Sequence, residues 1–140
     1  MSKMTIEEFS SMMVEQFPWA SESGIVCEYM GRDEARLRMP FKEGTTRPGG
    51  TISGPTMMML ADTTMYAVIL AAIGRVELAV TTSFNINFLY RPSPVDLIAE
   101  GRMLKLGKRL AVMEVTIHSD GHGEPVAHAT GTYSIPPGAI

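Results

Sequence analysis

The chain has 140 residues, of which 45% are hydrophobic and 19% charged, with a formal net charge of −3 at pH 7. This composition is typical of one globular domain, and it excludes a disordered chain and argues against a protein that binds nucleic acid through a basic surface. The single cysteine, Cys27, has no partner for an intramolecular disulfide, and no secretory leader opens the sequence. Both features favour a cytoplasmic protein.

The N-terminal part of the chain predicts a short helix and then two strands. Thr5 and Glu8 have the spacing of a capping box, and apolar residues follow at helical intervals until Pro18. Residues 25–30 and 35–39 are rich in strand formers, and the residues between them suit a hairpin turn. The next segment, KEGTTRPGGTIS, has glycines and a proline but no periodicity, so we predict a loop.

A long apolar helix is predicted over residues 53–73. Pro55 suits its first turn, and Gly74 suits its end. The helix approaches the length of a membrane span, but Asp62 lies near its middle, where an acid costs roughly 3 kcal/mol on insertion scales. The sequence has no second hydrophobic segment to shelter that charge. We therefore expect no membrane span and a helix buried by its own protein.

After this helix, apolar and polar residues alternate in four segments. The segments are residues 78–90, 95–106, 109–119 and 125–135, and connections of two to five residues join them. Such short connections favour neighbouring antiparallel strands, so we predict a meander. Only the long helix is apolar enough to cover the sheet. The expected fold is α+β, with a curved antiparallel sheet wrapped around a central helix and a short N-terminal helix beside it.

Three segments resemble the PaaI-like hotdog acyl-CoA thioesterases, a group related to phenylacetic acid degradation. They are SGPTMMMLAD, with a glycine turn and an acid eight residues later, VTTSFNINFLYRP, and LGKRLAVMEVTI. The resemblance implies the hotdog fold for residues 20–135 of a single domain spanning residues 1–140, with residues 1–19 as an N-terminal helix and loop.

The resemblance also implies a catalytic site. Asp62 would act as nucleophile or as general base for water, and the backbone N–H of Gly54 would hold the thioester carbonyl. The free N–H groups and the dipole of a helix N-terminus both favour a developing oxyanion. Thr81 on the next strand corresponds to a position that can carry a hydroxyl, and we expect Ser83 on the same strand face. Either hydroxyl would orient water.

Helix geometry sets a condition on this site. Gly54 and Asp62 are eight residues apart, which along one helix is roughly 12 Å, too far to grip one carbonyl. The resemblance supplies a second subunit, because family members build their sites across a dimer interface. We therefore expect a homodimer or a dimer of dimers, that is, a homotetramer.

Coenzyme A would be bound as part of the substrate, and no separate cofactor is expected. Its phosphates need local cations, and the resemblance points to the turn formed by Gly107, Lys108 and Arg109, with Arg91 as a second candidate. Metal binding is not indicated, because the three histidines lie in predicted strands and a predicted turn, not on a helix, and far from the cysteine.

Two departures from the family pattern affect the expected substrate contacts. Ser53 stands where many relatives have a histidine before the glycine, and Pro55 stands where they have a second glycine. Arg47 stands where some relatives have an asparagine that positions water or the carbonyl. We retain Ser53 and Arg47 as candidates for substrate binding.

Three functional hypotheses follow. The first is a thioesterase acting on a small or medium acyl-CoA or aryl-acyl-CoA. The second is a non-catalytic acyl-CoA binder or regulator, which the substitution at Arg47 keeps open. The third is a hotdog dehydratase, which is disfavoured because no histidine lies near the start of the long helix. Each candidate residue also has a plain structural alternative: Asp62 as a structural acid, Gly54 as a simple cap, and the hydroxyls and cations as ordinary surface groups.

Overall fold

The computed structural model describes residues 1–43 and 46–139, so residues 44 and 45 of the predicted loop lie outside it, as does residue 140. Within the described residues the chain forms three helices and six strands. The helices are α1 (Ile6–Gln16), α2 (Pro18–Glu22) and α3 (Gly54–Ile73), and the strands are β1 (Val26–Met30), β2 (Glu34–Met39), β3 (Val80–Phe88), β4 (Leu97–Leu106), β5 (Leu110–Ser119) and β6 (Pro125–Ser134).

The predicted N-terminal helix is confirmed, and a second short helix follows it. The Glu8 N–H donates to Thr5 Oγ1 at 3.1 Å, and the Thr5 N–H donates to Glu8 Oε1 at 2.9 Å, which completes the capping box. We predicted a loop after Pro18, but α2 begins there. Proline suits a first helical position because its missing N–H would have no acceptor within the helix. Pro18 therefore ends one helix and begins the next.

The six strands form one antiparallel sheet in the order β1-β2-β4-β5-β6-β3. The predicted antiparallel sheet is confirmed, but the meander is correct only for β4, β5 and β6. β4 already has β2 and β5 as neighbours, so β3 cannot lie beside it. Instead β3 pairs with β6, with Val80 opposite Ser134 and Phe88 opposite Ala127. β3 is therefore an edge strand.

Helix α3 packs on one face of this curved sheet, chiefly against β2, β4 and β5. Two glycines permit the close approach: a Cβ on Gly101 would lie 2.9 Å from side-chain atoms of Thr64 and Val68, and one on Gly131 would lie 2.5 Å from Met65 Sδ. A side chain at Gly101 would collide with branched side chains, whereas one at Gly131 would require the flexible Met65 side chain to move. The contacts fix the helix, and with it Asp62, against the sheet.

Helix α3 is long and apolar enough to cross a membrane by length and composition alone, with a mean hydropathy of 1.6. However, 67% of its most apolar 18-residue stretch is buried inside the structure. The core helix of a globular domain meets the same criteria, and the burial of α3 by the sheet fits that description.

Candidate active site

The Asp62 carboxylate, which is partly buried on α3, accepts two hydrogen bonds from the sheet. Thr81 Oγ1 and Tyr133 Oη each donate to Asp62 Oδ1 at 2.8 Å. Thr81 on β3 and Tyr133 on β6 are cross-strand partners, so they present their side chains to the helix together. Both hydroxyls are bound to Oδ1, and no side chain among the described residues donates to Oδ2. Oδ2 is therefore available to water or a substrate.

Tyr133 is the functional candidate that sequence reasoning missed. Its side chain is 3% exposed, and burial, together with the nearby charge of Asp62, raises the pKa of its hydroxyl. It therefore keeps its proton and serves as a donor. The signal in the sequence is the alternation of β6, in which Ala127, Ala129 and Gly131 face α3 and the large Tyr133 follows at the next inward position.

A cavity of about 230 Å³ opens beside Asp62, and aromatic rings form much of its wall. Consecutive rings contact one another along this wall: Trp19 and Phe17 have centroids 6.2 Å apart, Phe17 and Tyr66 5.5 Å, and Tyr66 and Tyr133 6.2 Å. Burial raises the pKa of Tyr66 to about 12, so this ring also stays neutral. The N-terminal helices thus supply part of an apolar pocket.

A second, more open cleft of about 390 Å³ also borders Asp62. Asp62, Thr81 and Trp19 line both spaces, and Met58 and Phe84 line the cleft alone. The carboxylate is therefore at a junction between an aromatic pocket and a surface cleft along β3. A ligand whose reactive bond lies at Asp62 can place one part of itself in each space.

Ser83 does not share the face of Thr81, so that prediction is wrong. The pairing of β3 with β6 shifts by one residue between these positions, with Thr81 opposite Tyr133 and Ser83 opposite Thr132. Neighbouring residues of β6 face opposite sides of the sheet, and their partners on β3 do the same. The extra residue, Thr82, forms a β-bulge that turns Ser83 away from Asp62.

The N-terminus of α3 forms a separate part of the candidate site. Ser53 Oγ accepts a hydrogen bond from the Thr56 N–H at 3.3 Å, so Ser53 is the N-cap of the helix. A Cβ on Gly54 would lie 3.3 Å from Phe88 Cζ, near the end of β3. Gly54 is thus beside the end of the edge strand, whereas Asp62 is beside its beginning.

The predicted cations fall into two groups. Arg47 and Arg91 line a surface cleft of about 510 Å³ together with Gly54. The exposed Lys108 and Arg109 lie in the β4–β5 turn, which Gly107 closes by donating its N–H to Leu110 O at 2.9 Å. Leu110, the first residue of β5, pairs with Ser134 on β6, and Ser134 also pairs with Val80 at the start of β3. The turn is therefore near the Asp62 end of β3, and the two arginines are near the Gly54 end.

The histidines lie apart from this site. His128 Nε2 is 2.9 Å from Glu114 Oε1, and His118 Nε2 is 3.3 Å from Glu100 Oε1, both on the sheet face away from α3. Within residues 1–43 and 46–139, no group of three or more histidine, cysteine, aspartate or glutamate side chains is arranged to hold a metal ion.

Comparison with known proteins places these features in a family context. A family model described as the thioesterase superfamily matches residues 49–126. A crystal structure named as a "putative thioesterase" from Silicibacter sp. TM1040 is similar, with a TM-score of 0.89 and 40% identity over 98% of this chain and 95% of that one. A thioesterase from Haemophilus influenzae has a TM-score of 0.86 and 20% identity over 97% and 94% of the two chains.

A protein of Saccharolobus solfataricus named as a "putative esterase" is 32% identical over 113 residues, which cover 80% of this chain and 73% of that protein. The segment matched by the family model includes Gly54, Asp62 and Thr81, whereas Arg47 and Tyr133 lie outside it. The fold of these neighbours is the hotdog fold, so the predicted fold is confirmed.

Proposed function

The chain belongs to the thioesterase superfamily, and on that premise we propose that it is an acyl-CoA thioesterase of the PaaI-like group. Its substrate is a small or medium acyl-CoA or aryl-acyl-CoA. The observation that carries the proposal is the position of Asp62 at the junction of the aromatic pocket and the surface cleft. A thioester carbonyl at this point places its acyl group in the pocket and directs coenzyme A along the cleft.

In the proposed reaction Asp62 acts as general base. Its free oxygen takes a proton from water as the water oxygen bonds to the thioester carbon, and the carbonyl oxygen becomes an oxyanion. The Gly54 N–H at the helix N-terminus stabilises that charge. When the oxyanion collapses, the carbon–sulfur bond breaks, and the thiolate of coenzyme A takes the proton from Asp62. The alternative is direct attack by Asp62 on the carbonyl, with water then hydrolysing the mixed anhydride.

The pocket supports a compact acyl group. Its volume of about 230 Å³ is below the roughly 300–1,000 Å³ of sites for drug-sized ligands. Met13, Phe17 and Trp19 close it from the N-terminal side. These side chains favour apolar groups, and flat aromatic rings stack well against such walls.

We further propose that two copies of the chain build each site. The edge strand β3 and the residues after it expose large apolar side chains, with Val80 54%, Phe88 50% and Tyr90 59% exposed. An unpaired apolar edge of this kind is suited to pairing with another strand. If two β3 strands pair antiparallel about their central residue, Phe84, then Val80 of one copy lies opposite Phe88 of the other. Asp62 then faces Gly54 of the partner subunit.

The same pairing would bring the two groups of cations to one site. Lys108 and Arg109 lie near the Asp62 end of β3, and Arg47 and Arg91 lie near the Gly54 end. In the proposed dimer, the turn of one subunit and the arginines of the other flank the path of coenzyme A. Charged contacts to its phosphates would hold the nucleotide while the thioester reacts. A dimer of dimers would contain two such pairs.

A release assay distinguishes this enzyme from a non-catalytic binder, which Arg47 in place of asparagine favours. The parent protein is incubated with acetyl-, hexanoyl-, benzoyl- and phenylacetyl-CoA, and free thiol is measured over time. We expect turnover at about 1 s⁻¹ or faster on at least one of them. Release of no thiol from any of them, with binding of coenzyme A demonstrated by calorimetry, would support the binder instead.

Mixing two inactive variants tests the shared site. Asp62→Asn removes the base, and Gly54→Val blocks the donor through its bulk near Phe88. After random reassembly half of the dimers are mixed, and each holds one intact site of two, so about a quarter of the parent activity should return. Verified mixed dimers without activity would mean that one chain supplies both groups.

A further inference from the structure

Two hydroxyl groups donate to the same oxygen of the Asp62 carboxylate and leave the other oxygen without a side-chain donor among the described residues. Thr81 Oγ1 and Tyr133 Oη both lie 2.8 Å from Oδ1 and come from adjacent strands. We propose that Tyr133 is a positioning residue, which together with Thr81 holds Asp62 Oδ1 so that Oδ2 is the oxygen that meets water or the thioester. This inference rests on the proposed function, in which Asp62 is the base.

The geometry goes beyond what burial of a tyrosine requires. A buried hydroxyl needs one acceptor, and the backbone oxygen of Asp62 lies 3.0 Å from Tyr133 Oη. The hydroxyl is nevertheless closer to the carboxylate oxygen, at 2.8 Å. Its single hydrogen is shared between the backbone and the side chain of the same residue, so it holds Asp62 at two points. Since χ angles of an aspartate are otherwise free to change, two donors on Oδ1 restrict the orientation of the whole carboxylate.

Among the described residues no cation lines this pocket to compete with the two hydroxyls for the carboxylate. The other titratable side chains that line the pocket are Tyr66 on α3 and Glu77 after it. Glu77 is an acid, while the residues that α1 and α2 contribute to this pocket carry no charge. Tyr133 stays protonated, because burial raises the pKa of its hydroxyl. It therefore remains a donor throughout the working pH range of the enzyme.

The test is Tyr133→Phe, which removes the hydroxyl and keeps the ring. Without this donor we expect kcat at neutral pH to fall about tenfold with little change in KM, because the bond orients the base and does not contact the substrate. A merely structural role would lower the melting temperature and leave the kcat of the folded protein near that of the parent.

Tyr66→Phe is the matched control. Its ring stacks on Tyr133 and lines the same pocket, but its hydroxyl donates to Glu77 O at 3.2 Å. This variant also loses a partly buried hydroxyl, so it reports the general cost of such a loss. Its kcat should fall less than that of Tyr133→Phe, because the Asp62 carboxylate keeps both of its donors.

Two further variants separate positioning from simple stability. Thr81→Ser retains a donor, so its kcat should exceed that of Thr81→Val, which should fall as in Tyr133→Phe. An unchanged kcat in Tyr133→Phe, with only its melting temperature lowered, would overturn the proposal. If the parent releases no coenzyme A from any thioester, the proposed function fails, and a crystal structure of Tyr133→Phe then tests the positioning role separately: an Asp62 carboxylate in its parent orientation would overturn it.

Discussion

The two edges of the sheet differ in how the chain completes them. At the β1 edge, Arg38 on β2 reaches Glu28 at 2.6 Å, Asp96 at 3.1 Å and Asp120 at 2.8 Å, and α1 packs against β1. At the β3 edge two large apolar side chains are exposed at the ends of the strand, with Val80 54% and Phe88 50% exposed. Ion pairs and a helix of the same chain support the β1 edge, whereas the β3 edge presents a surface suited to a second chain.

The candidate catalytic groups follow this division. Asp62 bonds to the beginning of β3 through Thr81, and Gly54 lies against Phe88 at its end. Both groups therefore lie along the edge that a single chain leaves open. We infer that the β1 edge stabilises the fold, while the β3 edge serves assembly and, through assembly, catalysis. The predictions below test this division, beginning with the largest expected effect.

Asp62→Asn should lower kcat by about a hundredfold or more, the usual scale for loss of a general base or nucleophile. The asparagine side-chain oxygen can still accept from Thr81 and Tyr133, so the fold and the proposed dimer should persist. Steady-state kinetics, thermal unfolding and light scattering measure these three properties. Normal turnover with a lower melting temperature would identify Asp62 as a structural acid.

Val80→Lys and Val26→Lys compare the two edges with the same substitution. Val80 on β3 is 54% exposed, and Val26 on β1 is 50% exposed. A lysine at position 80 places a charge where the partner's strand should pack, so we expect a shift to monomers and a fall in turnover of about tenfold or more. A lysine at position 26 should leave the mass of the assembly in solution and the turnover near those of the parent. Analytical ultracentrifugation and kinetics check both, and equal behaviour of the two variants would remove the distinction between the edges.

The fold was predictable because its elements depend on local patterns. Periodicity, the Thr5 cap and Gly74 locate α1 and α3, although α2 was missed, and the alternation after residue 78 locates the last four strands. The position of β3 was not predictable from its short connection to β4. Which strands become neighbours depends on the whole sheet, because β4 pairs on both sides with strands remote from β3.

The candidate site was predictable only in part. Asp62 stands out because an acid inside an apolar helix is costly, and Thr81 was found through the family resemblance. Ser83 was misplaced because a single-residue bulge reverses the faces of a strand and leaves no signature in the sequence. Tyr133 was missed because its role depends on the pairing of β3 with β6, whose neighbouring residues are far apart in sequence. Thr82 and Thr132, which share a hydrogen bond, are 50 residues apart.

Lys108→Ala with Arg109→Ala should raise KM for acyl-CoA about tenfold, which corresponds to one or two lost charge-assisted contacts. The contacts are the same in the ground and transition states, so kcat should change little. Added salt should weaken binding by the parent more than by the double variant. Arg47→Ala with Arg91→Ala should act in the same way if the cations of the two subunits meet at one site.

A pantetheine thioester without the nucleotide provides the control for both double variants. It lacks the nucleotide phosphates, so parent and variants should show the same KM for it. An equal increase in KM with this truncated substrate would mean that the substituted residues act through structure. A KM effect confined to only one of the two double variants would place the phosphates at one end of β3.

The smallest expected effect is the loss of folding stability at low pH through the ion pairs near the β1 edge. Arg38 lowers the pKa of Asp120 by donating a hydrogen bond to it. A carboxyl whose pKa is lower in the folded state stabilises the fold above its unfolded pKa of about 4, and that stabilisation is lost as the pH falls through the folded value. Arg38→Gln should therefore lower the melting temperature slightly at pH 7 and reduce its further decline below pH 4. The effect is small because Asp120 is 49% exposed and water screens the pair.

The comparison for this last variant is Arg32→Gln, in the turn between β1 and β2. Within the described part of the chain Arg32 forms no salt bridge, so its substitution should leave the acid dependence of the melting temperature unchanged. Neither variant alters the β3 edge, so the dimer mass at pH 7 and the ratio kcat/KM should match those of the parent. Loss of dimers in Arg38→Gln would mean that the ion pairs of the β1 edge also support assembly, and that the two edges are coupled through the sheet.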